Sequence, residues 1–580
     1  MEEKRIGVYV CWCGTNIAMM VDVKDVSKEM EKLPGVVLAK NYKYMCSDPG
    51  QDMIIKDIKK YNLDRIVVAA CSPRIHEITF RNALENAGLN PYMLQMANIS
   101  EQDSWVHTDR IEATRKAKSL VAAAIRRVIH HKPLKKRIVN VHPNTLIIGG
   151  GVAGMSAALE LSEAGKKSFL IEKSDQLGGT AAKLKLSFPY LNDVVNDISN
   201  LIKRVEKSEH IQVILNAEVQ EIHGFIGNFN GIVKTTDEKE YSIEFGNTIV
   251  ATGLKSFDAG KLKNYGYWKY SEVITSIEFE LLVKQGVVVN KKGIVPENIA
   301  IIHCAGSRNE NYNNYCSRTC CMSALKYANQ LRNLLPDANI FEMYADMRTF
   351  GRGCEELYTS TSRKGIMFLM FDQRAELPLI KEDERGNGVV IEFKELLSGE
   401  EIQVPADLVI LMVGMEAHEN AKSVSHLSGI SMDSNGFFIE KHPKLDPVAT
   451  TTDGVYVVGS CQAPKDIPDS VSQAKAAVAR ILATILRGTV EVEVTTAEIN
   501  ADICCGCQFC ISVCPYGANS FDAANDVSVV NEVLCKGCGT CATACPSGAI
   551  STKHFTDEQI LSQIEGLMAK VHELEELETN

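Results

Sequence analysis

Two runs of cysteine near the C-terminus repeat one spacing, C-x2-C-x2-C-x3-C-P. Three closely spaced thiolates bind three corners of a [4Fe–4S] cube, and the fourth thiolate of each run ligates the other cube. The first cluster is expected on Cys504, Cys507, Cys510 and Cys545. The second cluster is expected on Cys535, Cys538, Cys541 and Cys514. A zinc or structural role is the alternative, which two complete copies of the spacing disfavour.

A glycine-rich turn lies in the segment LIIGGGVAGMSAALEL. Gly149, Gly151 and Gly154 fall in G-x-G-x-x-G between a predicted strand and helix, which presents backbone amides and a helix N-terminus to a pyrophosphate. The next strand ends in Glu172, placed to accept from a ribose hydroxyl, and an ATG turn at 251–253 follows a third strand. The pattern predicts a bound dinucleotide, and the same fold without a ligand is the alternative.

The later segment TTDGVYVVGSCQAPKDIPDSVSQA resembles the closing FAD segment of the thioredoxin-reductase-like flavoproteins. That family usually has Gly-Asp where this chain has Gly459-Ser460, so the acidic contact is expected from Asp466 or is missing. Both ends of the flavin fold surround an inserted domain, which favours FAD over NAD. The residues expected at the FAD site are Gly149, Gly151, Gly154, Glu172, Lys173, Gly179, Thr180, Ala251, Thr252, Gly253, Gly459, Asp466 and Ile467.

Four more cysteines stand where a second nucleotide loop would be expected. The strand-like NIAIIH precedes CAGSRNE, which has one glycine where G-x-G-x-x-G needs three. The flavin region also lacks a C-x-x-C redox pair. Cys320 and Cys321 open a predicted helix whose dipole would stabilise thiolates. With these two, the third [4Fe–4S] cluster is expected on Cys304, Cys316, Cys320 and Cys321, and tetrahedral zinc is the alternative.

The N-terminal region has a less regular set of thiols. Cys11, Cys13, Cys46 and Cys71 each follow a strand-like segment, or nearly so. The ends of parallel strands lie on one edge of a sheet, where ligands gather. We expect another [4Fe–4S] cluster here; buried structural cysteines, or a Cys11–Cys13 thiol pair, are the alternatives. The cysteines left without a ligand role are Cys354, Cys461 and Cys505.

The composition bounds the class of protein. The 580 residues are 23% charged and 45% hydrophobic, as in soluble globular proteins of several domains. The formal charge of −11 argues against a nucleic-acid partner and favours protein partners. No apolar run approaches the roughly 18 residues of a membrane span, and MEEKR leads into a strand without a signal-peptide core. We expect a cytoplasmic protein without structural disulfides.

The strand-like and helix-like segments that must position these groups predict an α/β protein. Residues 1–135 form an N-terminal α/β domain, and 136–490 form a thioredoxin-reductase-like FAD domain of two Rossmann-like subdomains, with the cluster-bearing insert at about 291–375. Residues 491–555 form a ferredoxin-like α+β module for two [4Fe–4S] clusters. Residues 556–580 form an amphipathic helix, opened by a Thr556/Gln559 capping box, that packs on its own chain or on another protein. Its apolar face contains Ile560, Ile564, Leu567, Val571 and Leu574.

Taken together, the motifs closely resemble one family, the A subunit of heterodisulfide reductase. The matching stretches are CWCGTNI, YKYMCSDPGQ, VVAACSPRIHE, the C-x11-C-x3-C-C set, APKDIPDS and the paired ferredoxin runs. Some methanogen members carry an extra ferredoxin module in the flavin region, so the resemblance is to the shorter forms. It implies an oxidoreductase that uses FAD for electron bifurcation within a complex, with Lys326 near the reactive edge of the flavin.

The resemblance also implies partners. These are B- and C-like subunits that reduce a disulfide, a [2Fe–2S] donor subunit linked to hydrogenase or formate dehydrogenase, and ferredoxin, with the chain as a homodimer in a larger complex. One alternative is an NAD(P)H-dependent reductase of the glutamate-synthase small-subunit type, which the missing second glycine loop disfavours. Another is a passive electron-transfer scaffold.

Overall fold

A computed structural model describes residues 4–374, 377–384, 388–492 and 494–578, with side chains as far as Met568 in the last helix. The chain divides into two compact units, Met1–Arg137 with Glu491–Asn580, and Ile138–Val490. No helix of the described residues is long and apolar enough to cross a membrane.

The N-terminal part of the first unit contains a parallel four-stranded sheet. Its strands are β1 (Ile6–Cys11), β2 (Val36–Tyr42), β3 (Arg65–Ala70) and β4 (Leu94–Asn98), and its helices are α1 (Val23–Met30), α2 (Asp48–Tyr61), α3 (Pro73–Asn86) and α4 (Arg110–Val128). The order is β2-β1-β3-β4, and every residue of β1 and β3 is buried. Such continuous apolar strands are typical of parallel sheets covered on both faces. The carboxyl ends of all four strands therefore share one edge.

The second unit is built on two parallel five-stranded sheets. The strands from residue 137 onward are β5 (Arg137–Asn140), β6 (Thr145–Ile148), β7 (Ser168–Ile171), β8 (Ile211–Ile214), β9 (Ala217–Phe225), β10 (Asn228–Thr235), β11 (Glu240–Phe245), β12 (Asn247–Val250), β13 (Leu254–Ser256), β14 (Val273–Thr275), β15 (Asn298–Ala305), β16 (Asn339–Tyr344), β17 (Met367–Met370), β18 (Leu379–Glu382), β19 (Val389–Lys394), β20 (Glu401–Ala406), β21 (Leu408–Val413), β22 (Met415–Ala417) and β23 (Val455–Val457). The helices are α5 (Val152–Glu163), α6 (Val194–Lys207), α7 (Ser276–Lys284), α8 (Cys320–Leu334), α9 (Cys354–Ser362), α10 (Ala421–Ser428) and α11 (Ile467–Arg487).

The first sheet has the order β23-β12-β6-β7-β8, and the second has the order β14-β21-β15-β16-β17. The second sheet takes β14 from before, and β21 from after, the insert expected at about 291–375. Those bounds are therefore too narrow. Neighbouring strands of a parallel sheet come from segments that are far apart in the sequence, so the sequence does not show which segments pair. Antiparallel sheets β11-β10-β9 and β18-β19-β20 accompany the two parallel ones.

The C-terminal part belongs to the first unit. β24 (Thr489–Val492) crosses the sequence boundary at Val490, and the elements after it are β25 (Ala497–Ile499), β26 (Asn519–Asp522), β27 (Val527–Val530), β28 (Ile550–Thr552), α12 (Phe509–Ser512), α13 (Thr540–Ala544) and α14 (Asp557–Glu578). Two antiparallel pairs, β25-β28 and β26-β27, hold the short cysteine-bearing helices α12 and α13. Each cysteine run thus occupies an equivalent place in a two-fold repeated module.

Helix α14 packs on α4 within the first unit, but not through the face expected from its sequence. A Cβ on Gly566 would lie 2.6 Å from the Ala123 Cα, so the two backbones approach closely there. Ile560 and Ile564 are 41% and 49% exposed. The apolar stripe predicted the wrong packing face, because the contact is formed by small residues that contribute little to a hydrophobic pattern. The side chains of Val571 and Leu574 lie outside the described residues, whereas the Thr556/Gln559 capping box is present.

Candidate flavin and iron–sulfur sites

The turn after β6 has the shape that a dinucleotide requires. Gly149 has φ +112°, and a Cβ there would lie 2.3 Å from the carbonyl oxygen of Ala251 in the ATG turn. A Cβ on Gly154 would lie 1.9 Å from the carbonyl oxygen of Gly149. Nothing lies within 4 Å of a Cβ built on Gly151. The outer two glycines are therefore needed by the fold, and the middle one leaves open space where a pyrophosphate would lie against the N-terminus of α5.

Glu172, at the end of β7, is held against this turn. Its carboxylate accepts hydrogen bonds from Gly150 N at 2.7 Å and from Ser174 N at 2.9 Å. The adjacent Lys173 is exposed. Gly253 has φ +74°, and the buried Thr252 hydroxyl has no hydrogen-bond partner within the described part of the chain. These groups are available to the adenosine half of FAD, and the residues present fit that cofactor.

A cavity of about 180 Å³ adjoins the turn at Val152, the first residue of α5. It is lined mainly by apolar side chains, as small-molecule sites usually are. The residues expected from the sequence that line it are Thr180, Cys320, Lys326, Asp466 and Ile467. Asp466 is also the N-cap of α11, since its carboxylate accepts from Asp469 N at 2.8 Å. Two further expected residues frame the turn: Gly179, whose Cβ would lie 3.2 Å from the Gly151 Cα, and Gly459, with φ +77°.

Lys326 is buried in this cavity wall rather than solvated on a helix surface. It is 2% exposed, donates to the Leu186 carbonyl oxygen at 3.1 Å and forms an ion pair with Glu280. Glu280 is fully buried, and its second oxygen accepts from Lys185 N at 3.0 Å. Burial lowers the pKa of Lys326, and Glu280 opposes that change. The structure therefore places a paired ammonium group in the wall of this cavity.

The cysteines of the second sheet converge around the start of α8. Cys304 is the penultimate residue of β15 and has φ +56°, and Cys320 and Cys321 are the first residues of α8. Burial raises the pKa of Cys304 to about 12, with the Cys321 and Cys316 thiols adding to the effect. Burial also raises the pKa of Cys320, with contributions from the other three thiols. The four sulfurs thus share one environment, and Cys320 also faces the flavin cavity.

Cys321 differs from Cys320, so the helix start does not stabilise both thiolates as expected. Burial raises the pKa of Cys321, but the nearby His303 brings it below its ordinary value. His303 is fully buried, and its Nε2 lies 2.9 Å from Glu342 Oε1. Burial alone would lower the pKa of His303, but the nearby Cys321 thiol and the bond to Glu342 raise it to about 9. His303 on β15 is therefore the group that contributes most to lowering the pKa of this thiol.

The N-terminal cysteines lie together at the carboxyl edge of their sheet. Met45 N and Cys13 N donate to the Cys11 sulfur at 3.4 and 3.3 Å. Burial raises the pKa of Cys71 to about 12, and the charges of Cys13, Cys11 and Cys46 raise it further. Four thiols close enough to influence one another suit a shared cluster, and the donor set fits iron better than oxygen-preferring cations.

In the C-terminal module, the thiols expected to bind the second cluster line one small cavity: Cys514, Cys535, Cys538 and Cys541. Cys510 and Cys545, expected on the first cluster, pack into the same core, and Cys504 and Cys507 lie at its surface. Cys505 is fully exposed, which suits a bystander. Throughout the described ranges, no three His, Cys, Asp or Glu side chains are grouped to hold a single metal ion. The ligand assignments rest on spacing and convergence.

The sequence did not reveal several polar partners of these sites. Glu280 lies 46 residues from Lys326, and Glu342 lies 39 from His303. The positive charge of Arg308 lowers the pKa of the nearby Cys304, and Arg308 forms an ion pair with Asp346. No motif marks these residues, because each contact joins segments that become neighbours only when the chain folds. An apolar strand that contains a histidine was the one available signal.

Comparison with known proteins places these sites in a family. Residues 143–290 match the family described as pyridine nucleotide-disulphide oxidoreductase, and 528–551 match a 4Fe-4S binding domain. The A subunit of the H(2):CoB-CoM heterodisulfide,ferredoxin reductase of Methanothermobacter marburgensis is 39% identical over 98% of each chain. The A subunit of the H(2)/formate:CoB-CoM heterodisulfide,ferredoxin reductase of Methanococcus maripaludis is 34% identical over 99% of this chain and 100% of that one. The thioredoxin reductase of T. acidophilum covers 60% of this chain and 100% of its own, with 16% identity and a TM-score of 0.41.

Proposed function

The chain belongs to the family of heterodisulfide reductase A subunits, and we propose that it is the site of flavin-based electron bifurcation in a heterodisulfide-reductase-like complex. The coarser function, that of a flavin and iron–sulfur oxidoreductase, follows from the family. The finer proposal is supported by one observation: Cys320 lines the flavin cavity and belongs to a four-thiol set. A one-electron carrier on those thiols would lie directly beside the flavin.

When bound, FAD supplies the conversion between two-electron and one-electron transfer. The chain's own residues would hold it through the glycine turn and Glu172. The cavity that would take its ring is lined by apolar side chains together with two lysines, Lys326 and Lys465. The donor supplies four electrons. Two of them, with two protons, convert one disulfide to two thiols. The other two electrons reduce ferredoxin one at a time. The described flavin region has no C-x-x-C pair, so disulfide reduction is assigned to a partner.

The partners proposed are B- and C-like subunits for the disulfide, a [2Fe–2S] donor subunit linked to hydrogenase or formate dehydrogenase, and ferredoxin, around a homodimer of this chain. The names of the two relatives mention H(2), formate, heterodisulfide and ferredoxin, which supports this choice. Anaerobic purification of the tagged chain from its native cells tests it. Recovery of these partners with bound flavin and iron is expected, and recovery of the chain alone would contradict it.

A pyridine-nucleotide reductase is the second candidate, because the family matched over 143–290 includes such enzymes. The strand β15 would carry the second nucleotide loop, but Cys304 and one glycine stand there. Stopped-flow mixing of the isolated holoprotein with NADH or NADPH separates the candidates. We expect no bleaching of the flavin absorbance; rapid bleaching would favour the reductase.

A further inference from the structure

The two lysines that line the cavity expected to take the flavin ring differ in their partners. Lys326 forms an ion pair with the buried Glu280, so the chain itself compensates its charge. Lys465 is half-buried in the loop before α11. Among the described residues, no carboxylate forms an ion pair with Lys465, whose Nζ is bonded to neutral oxygens instead. The cavity therefore contains one cation without a counter-charge from the described chain.

A network of side-chain amides holds Lys465 in place. Its Nζ donates to Gln462 Oε1 at 2.6 Å and to the Ala463 carbonyl oxygen at 3.5 Å. Gln462 Nε2 donates in turn to Glu440 Oε2 at 2.6 Å, and Gln462 Oε1 also accepts from Gln473 Nε2 at 2.8 Å. Gln462 is thus fixed from both ends of its amide, and it orients the ammonium group before any ligand binds. Such pre-organisation lowers the cost of binding an anion.

The carboxylates that follow Lys465 in the sequence are bound to other groups. Asp469 accepts from Arg318 Nη2 at 2.7 Å. Asp466 is the N-cap of α11, and its carboxylate accepts from Asp469 N at 2.8 Å, so the helix N-terminus compensates its charge. A charge removed from water is costly unless an opposite charge or hydrogen bonds compensate it. The group that would complete the partners of Lys465 is therefore an anionic part of a ligand in the cavity.

We propose that Lys465 stabilises the negative charge that the flavin ring gains on reduction, and so raises the reduction potential of bound FAD. This inference rests on the proposed function. The ring takes two electrons from the donor and one proton, which leaves it with one negative charge, and charged groups beside it tune this step. The pyrophosphate is expected at the glycine turn instead, whereas Lys465 shares the cavity lining with Cys320. Lys326 contributes little net charge, because Glu280 cancels it.

The test is a potentiometric titration of the flavin absorbance in the intact holoprotein, with the same protein stripped of FAD as the blank for the clusters. Lys465→Met removes the charge, and Lys465→Gln removes it but keeps a hydrogen-bond donor. Both should reduce the preference for reduced over oxidised FAD by about tenfold or more, which lowers the two-electron midpoint potential by about 30 mV or more. Lys465→Arg keeps the charge and should remain close to the parent value.

Lys475→Met is the matched control, because Lys475 lies on α11 and pairs with Glu160 at the surface. Its substitution should leave the potential unchanged. Parent-like potentials in Lys465→Met and Lys465→Gln would overturn the role of Lys465 alone. Weaker binding of oxidised FAD at a parent-like potential would also overturn it, because the lysine would then hold another part of the cofactor. If the parent chain binds no FAD, the proposed function falls, and this inference falls with it.

Discussion

Lys326 and Glu280 form a buried ion pair beside the flavin cavity, and its disruption has a calculable cost. Lys326 is 2% exposed and Glu280 is fully buried. The Lys326→Met substitution keeps the length of the side chain and leaves the carboxylate without its cation. Removing one partner of such a pair costs about 3–5 kcal/mol, because an unpaired charge remains in a medium of low polarity. An exposed pair would cost about 1 kcal/mol or less.

The size of the unit determines how far this loss of stability lowers the melting temperature. At about 2.1 cal/mol/K per residue, the Ile138–Val490 unit has an unfolding entropy of about 0.7 kcal/mol/K, so Lys326→Met should lower Tm by about 4–7 °C. The control is Lys475→Met, which breaks the pair between Lys475 and Glu160, 56% and 31% exposed. It should lower Tm by about 1 °C.

Differential scanning calorimetry of the anaerobic holoprotein measures these shifts. The Lys326→Met/Glu280→Gln double variant should recover part of the loss, because the uncompensated carboxylate is gone. FAD content is measured in each sample, so that loss of the cofactor is not mistaken for loss of the pair. If Lys326→Met and Lys475→Met have the same Tm, or if adding Glu280→Gln to Lys326→Met lowers Tm further, the Lys326–Glu280 pair is not buried as described here.

Three further predictions concern the cofactor sites. Cys320→Ala should lose about four iron atoms per chain with FAD retained, while Cys505→Ser loses none; an unchanged iron count in Cys320→Ala would refute the cluster. Cys46→Ser should also lose about four iron atoms in a chain that still folds, and a full complement would make the N-terminal thiols structural. Gly151→Ala should keep the melting temperature of the apoprotein and weaken FAD binding, whereas Gly154→Ala should destabilise the fold; equal FAD titrations of Gly151→Ala and the parent would remove the pyrophosphate from this turn.

Local sequence spacing predicts those parts of the sites that lie within a single turn or loop. The cysteine runs of the C-terminal module and the G-x-G-x-x-G turn consist of residues a few positions apart, so both motifs can be recognised in the sequence. The gathering of Cys11, Cys46 and Cys71 was predictable for another reason, since parallel strands end on a common edge.

Contacts between distant segments cannot be predicted from the sequence in this way. Nothing in the sequence pairs Lys326 with Glu280 or His303 with Glu342, because these meetings depend on the register of β15, β16 and α8. The packing face of α14 was also missed, since Gly566 allows a close backbone approach that an apolar pattern hides. Sequence spacing therefore predicts which thiols and glycines lie near one another, but it does not predict the charged residues that pair near them.

The most direct test of the proposed function is the coupling of the two acceptors in the native complex. Under anaerobic conditions, the purified complex is given its electron donor with ferredoxin, with the disulfide, and with both. Bifurcation predicts that ferredoxin is reduced only when the disulfide is present, with two ferredoxin electrons for each disulfide cleaved. Reduction of ferredoxin at the same rate without the disulfide, or steady disulfide reduction without ferredoxin, would contradict it and leave a relay.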